Sequence, residues 1–269
     1  MERLVYILAI FAYSYTTFAH FFPGSVGQRL VQYARAVALV GIVAHLTALV
    51  LTAFWSEHTS GGFPGALSMI AVGVAIAYVI VGTKRMQALG MLLAPLALVL
   101  LGTALVVPRH EVSALETTIQ ASPWLPIHMG LVFSGIAGFA LSFAVGILYL
   151  WVRHRLKNKR FSGLGNLPSL EKMDRIQYRA MLFGFIFLTL GIGAGGIWAS
   201  VSPIVAWTFD PKVVFTLMIW LWYGIALQLR LAGRRGHWTA TFSVVGFLSL
   251  LFSLVGVNFL LSGWHGYGG

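Results

Sequence analysis

The chain contains no cysteine in 269 residues. That absence excludes a structural disulfide, a thiolate metal site and a covalent C-x-x-C-H haem attachment within it. It is therefore neither a c-type cytochrome nor a thiol oxidoreductase. Charge is almost as scarce: 9% of residues are charged, where a soluble domain carries roughly a quarter. Polyproline, low-complexity and long disordered stretches are missing too, so no soluble domain fits between the apolar segments. No proton-transfer pair, nucleophile–base arrangement or phosphate loop is visible, and an enzymatic activity would rest on analogy alone.

What is there is apolar. Hydrophobic residues fill 58% of positions and the mean hydropathy is +0.85. Crossing a hydrocarbon core of about 30 Å takes about 20 apolar residues at a rise of 1.5 Å. Eight segments qualify: 4–22, 36–55, 64–82, 88–107, 126–152, 181–201, 213–231 and 241–262. The expectation is an all-α integral membrane protein, a bundle of eight transmembrane helices forming a single polytopic domain over 1–269. Met1 to Phe22 has one early Arg and no small-residue cleavage site, so it is expected to be a retained first span.

Charge placement sets the orientation. Fifteen of the 18 Lys and Arg fall in or at the edge of the first, third, fifth and seventh connections; the remainder are Arg3, Arg109 and Lys212. Retained loops collect Lys and Arg, which puts both termini outside and the connection from Arg153 to Arg179 in the cytoplasm. The net charge of +11 reflects this loop bias, so the expected partner is the lipid bilayer and not nucleic acid. Within the long connection, Ser169 follows Leu167-Pro168 as a helix N-cap. The run from Leu170 to Ala180 is expected to lie along the membrane surface before turning into the sixth span. It reads as a lipid-anchored connector or as a docking surface for a cytoplasmic partner.

The same topology sorts the eight histidines. His20, His154 and His237 fall at the inner surface as interface anchors, and His58 and His110 in short outer loops. His128 opens the fifth span in Pro123-Trp124-Leu125-Pro126-Ile127-His128, and His265 follows the eighth in Gly263-Trp264-His265-Gly266-Tyr267. Both map to the outer side, each with a Trp within four residues. Two neutral imidazoles facing each other can hold a flat haem through both axial positions. The plainer alternative is interfacial His beside interfacial Trp, as in membrane belts. The outer connection with Trp198, Trp207, Asp210 and Lys212 could lay indoles against a porphyrin and offer Lys212 to a propionate, or be an aromatic belt.

His45 sits near the middle of the second span, where an ionisable group suggests a functional site or an inter-helix hydrogen bond to Thr47 or Ser68. Gln228 reads as a second buried polar group, nearer the inner surface. Gly191 and Gly195 form a small-xxx-small pair that suits close helix packing.

Several stretches resemble a known family: Leu167-Pro168-Ser169-Leu170-Glu171, Arg179 with the Leu-Thr-Leu-Gly-Ile run from Leu188, Trp198-Ala199, Trp207-Thr208-Phe209-Asp210-Pro211-Lys212, and Gly256-Val257-Asn258 through His265-Gly266-Tyr267-Gly268. Together they resemble the cytochrome c assembly membrane-protein family, haem-handling proteins that include CcsA, CcmC and HemX-like members. Length and the eight-span plan look closest to the HemX-like group. The resemblance implies that His128 and His265 ligate the iron of a non-covalent, b-type haem at the outer surface. It implies that Trp198, Trp207 and Asp210 belong to the tryptophan-rich segment between them. Two positions depart from the pattern: Val213 follows Lys212 where the family has Glu, and Gln228 stands where assembly-type members have His.

The expected function is haem handling in cytochrome c assembly, in a bacterial inner membrane, with haem, other assembly proteins or a haem-biosynthetic enzyme as partners. Two competitors stand beside it. One is a HemX-type regulator of haem biosynthesis acting through the basic cytoplasmic connection. The other is a transporter, which the scarcity of buried charge disfavours.

Overall fold

The structure is a computed structural model, and it describes residues 2–22, 24–55, 62–81, 84–107, 122–160, 167–201 and 211–260. The helices, in chain order, are α1 (Glu2–Phe21), α2 (Gly24–Trp55), α3 (Gly62–Val81), a short 3-10 helix (Lys84–Leu89), α4 (Gly90–Val106), α5 (Trp124–Lys157), α6 (Leu170–Val201), α7 (Pro211–Leu231) and α8 (His237–Leu260). Eight of them are long and apolar enough to cross a membrane, and the chain is a multi-pass membrane protein. Large apolar side chains such as Leu4, Phe11, Val43, Ile80, Leu190 and Phe252 are exposed. In water such surfaces would associate; in hydrocarbon they meet lipid.

Three helices overrun the spans expected from hydropathy. At 34 residues, α5 is about 51 Å long, against a hydrocarbon core of about 30 Å. Its last turn carries His154, Arg155 and Lys157. Similarly, α2 begins at Gly24 and takes in Arg29 and Arg35, and α6 begins at Leu170. The expectation that 170–180 would lie on the surface and then turn into the membrane is therefore corrected. Ser169 does cap the helix, its Oγ accepting the Lys172 N–H at 3.3 Å. Beyond it the chain contains no proline before Pro203, and Glu, Lys, Met, Arg and Gln are good helix formers. Nothing interrupts the ladder, so connector and span are one rod.

The chain divides into two compact units, residues 1–112 with 163–168, and 113–162 with 169–269. In the first, α1 packs on α2 and α4, and α3 on α4. Polar side chains tie these helices: Tyr15 Oη donates to the Leu30 carbonyl at 3.2 Å, and His20 Nε2 and Tyr78 Oη are 3.0 Å apart.

In the second unit α5 and α6 meet backbone to backbone. A Cβ on Gly138 would stand 2.8 Å from the amide nitrogen of Gly184, and one on Gly135 would stand 2.9 Å from that of Leu188. Gly184, Leu188, Gly191, Gly195 and Trp198 recur at three- and four-residue intervals, which keeps them on one face of α6. Phe139, beside Gly184, stacks on Tyr223 of α7 with centroids 3.6 Å apart.

One end of this unit is closed by an ion pair. Both guanidinium amino groups of Arg230 donate to Asp174 at 2.7 Å, and Asp174 Oδ1 also accepts the Gly236 N–H at 3.1 Å. The two side chains are only 10% and 15% exposed. One carboxylate on α6 thus holds both the end of α7 and the start of α8. Between them α7 closes in a Schellman turn: the Arg234 N–H reaches the Leu229 carbonyl and Gly233 adopts φ +88°. Gln228, expected to be buried, is exposed; α7 instead buries Arg230, whose long side chain reaches Asp174 and lies under the Tyr178 ring.

Two stability predictions follow from these contacts. In detergent, Gly184→Ala should lower the unfolding free energy by about 1–3 kcal/mol through overpacking, because its neighbours are backbone and ring atoms. Gly193→Ala, which has open space around it, should be neutral or up to about 1 kcal/mol more stable. Asp174→Ala should cost about 3–5 kcal/mol by leaving a buried guanidinium unpaired, and Asp174→Leu with Arg230→Met should recover most of that loss.

Candidate functional site

His128 lies early in α5, at the end of this unit opposite the Asp174–Arg230 pair. Trp124 begins the helix, with Pro123 before it and Pro126 in the first turn. A proline is tolerated there because the first-turn N–H groups have no intrahelical acceptor. The imidazole points across to α6, where its Nδ1 is 2.8 Å from the Gly191 carbonyl oxygen. A carbonyl only accepts, so Nδ1 carries the proton and the neutral ring keeps its lone pair on Nε2.

Trp198 lies one helix-face repeat beyond Gly191, in the last turns of α6. Its ring centroid is 6.3 Å from that of His128, at an interplanar angle of 43°. The ring thus has a hydrogen bond fixing one nitrogen, an indole beside it and a half-buried position. A hydrogen bond of this kind fixes the orientation of an imidazole ring.

Of the other residues expected at the site, Trp207, Asp210 and His265 lie outside the described residues, as does the remainder of the aromatic connection up to 210. Lys212 is in the first turn of α7. His58 and His110 are also outside the described residues. His154 is exposed, with Nε2 2.9 Å from Asn158 Nδ2, and His237 begins α8 with its ring near Trp238.

His45 belongs to the first unit and is fully buried. Its Nδ1 is 3.2 Å from Tyr13 Oη and its Nε2 is 2.8 Å from Ser68 Oγ. Both nitrogens are engaged by hydroxyls, which join α1, α2 and α3. Of its two expected partners, Ser68 is the one it meets. Thr47 instead donates to the Val43 carbonyl of its own helix at 2.9 Å.

Sequence reasoning gave no role at the site to Gly191 and Gly195. The signal was their place on the α6 face shared with Trp198, but reading it required knowing that this face meets His128. Among the described residues no group of three or more His, Asp or Glu converges as an all-protein metal site.

Fold and site define a polytopic helical membrane protein that presents a tautomer-fixed histidine beside a tryptophan at one end of a helix pair. Residues 60–265 match the family described as Cytochrome C assembly protein. The cytochrome c biogenesis protein CcsA of Prochlorococcus marinus (strain MIT 9301) is 28% identical over 267 residues, covering 87% of this chain and 84% of its own. That of Chlamydomonas reinhardtii is 30% identical over 243 residues, covering 86% and 67%. That of Guillardia theta is 27% identical over 245 residues, covering 82% and 81%. The chain belongs to the cytochrome c assembly protein family.

For His45 the expected outcome is structural. Ser68→Ala should cost about 0.6 kcal/mol, the average for an interhelical hydrogen bond in a membrane, and His45→Leu should cost more because it removes two. Denaturant titration in detergent measures both.

Proposed function

We propose that this protein handles haem during cytochrome c assembly, holding it at the extracytoplasmic face of a bacterial inner membrane. His128 and His265 would hold the haem iron, and Trp198, Trp207 and Asp210 would form the platform for the macrocycle. The observation that carries this reading is the Nδ1–H bond from His128 to the Gly191 carbonyl, which leaves Nε2 as the donor atom. Such a bond fixes ring orientation and strengthens the imidazole as a ligand. A porphyrin supplies four of the six iron ligands, so a site of two histidines is sufficient. Trp198 supplies an apolar face of the kind a planar macrocycle packs against. When bound, haem brings the iron and the vinyl groups that cytochrome maturation uses. The chain's own residues orient the macrocycle and keep its faces from water.

His45, with both nitrogens hydrogen-bonded, is assigned to helix packing. The haem is non-covalent here, because the chain has no cysteine to attach it.

A second reading rests on a different observation. Arg153, Lys157, Lys159, Arg160, Arg175 and Arg179 are all exposed at the inner end of α5 and α6. A HemX-type regulator would use this surface to engage a haem-biosynthetic enzyme. Partner capture that depends on residues 153–180 and survives loss of both outer histidines would support it.

The test of the first reading is the absorption spectrum of the detergent-purified protein, before and after loading with haem. A low-spin spectrum of two imidazoles is expected, and it should be lost in His128→Ala and in His265→Ala. Absence of haem absorption after loading would contradict the proposal.

A further inference from the structure

Gly195 approaches His128 more closely than a packing contact requires. A Cβ built there would lie 2.8 Å from Nδ1 and 2.9 Å from Cε1 of the imidazole. Side chains on a helix lean towards its N-terminus, so residue 195 overlies the carbonyl of residue 191, one turn earlier. Any side chain at 195 would cover the oxygen that accepts the His128 proton. At 191 the constraint is different. A Cβ there would meet Val132 at 2.7 Å, so that glycine sets how near α6 comes to α5. Two glycines one turn apart therefore do separate jobs: one brings the helices together, the other opens a carbonyl to the ring.

We propose that Gly195 is a positioning residue for the iron ligand. By lacking a Cβ it gives the Gly191 carbonyl to His128 and so selects the Nδ1–H tautomer, with Nε2 aimed away from α6. This deepens the haem reading and rests on it for its purpose, but the tautomer itself does not need haem. Helix packing alone would explain a small residue at 195. It does not explain why the atoms met are those of the ring nitrogen and its neighbouring carbon, with the hydrogen-bond acceptor directly beneath.

The neighbouring glycines provide controls. Gly193 lies on the same helix and has nothing within 4 Å of a built Cβ. Gly193→Ala makes the same chemical change and gains the same helix propensity without touching His128. The experiment uses the full chain in detergent, labelled with 15N-histidine, and reads the tautomer of His128 by NMR in the haem-free protein. His128→Gln supplies the assignment. Haem retention is then measured by competition with an apo-haem acceptor.

Wild type and Gly193→Ala should show the Nδ1–H form. Gly195→Ala should show a mixed or reversed tautomer and lose haem affinity by about 10- to 100-fold, as changes in a ligand's hydrogen-bond partner do. Added imidazole should restore the low-spin spectrum of Gly195→Ala by replacing the displaced ring. An Nε2–H tautomer in wild type would overturn the proposal without any variant, as would Gly195→Ala behaving like Gly193→Ala. If the tautomer responds as stated and no form of the protein takes up haem, the seat stands and the haem reading falls.

Discussion

Two long helices, α5 and α6, meet through their backbones, and the rest of the second unit is arranged around that contact. Gly135 and Gly138 on one helix face Gly184 and the Leu188 amide on the other at distances no Cβ would tolerate. Each glycine costs about 1 kcal/mol of helix propensity relative to alanine. In lipid there is no hydrophobic drive between helices to offset that, so the gain must come from dispersion and close polar contact along the seam. The missing side chain at Gly184 leaves room for the buried Phe139 ring. It sits beside Gly184 and stacks on Tyr223, which carries the order of the seam into α7.

The two ends of this unit have different chemistry. At one end a single carboxylate, Asp174, holds an arginine from α7 and a backbone amide at the start of α8. At the other end the same pair of helices carries an imidazole and an indole. The separation follows from length: helices of 34 and 32 residues are longer than the hydrocarbon is thick. His128 and Trp198 are thus borne on helices fixed at the other end, a rigid support for both rings.

The eight spans were legible because they rest on hydropathy and length, which are local properties. Their ends were less so: Arg29, Arg35 and residues 170–180 read as connection, yet arginine, glutamate, lysine and methionine extend a helix readily once it has begun. Gln228 reads as the buried polar group of α7, whereas the structure buries Arg230, a charge near a span end that would ordinarily be solvated. Its partner Asp174 is 56 residues away, and no local pattern joins them. His45 was visible as an ionisable residue at depth, while Tyr13, its second partner, lies in a different helix. His128 and Trp198 were legible from residue type and topology. The glycines that seat the imidazole required both helices at once. Trp207, Asp210 and His265 rest on sequence and family alone.

The proposed haem site requires a histidine nitrogen bound to iron on both faces of one macrocycle. Pulsed electron paramagnetic resonance of the ferric, haem-loaded protein, grown with 15N-histidine, measures this most directly. Couplings from two iron-bound histidine nitrogens, distinct from the pyrrole nitrogens, are the predicted result. A high-spin ferric signal with no histidine 15N coupling would contradict the account.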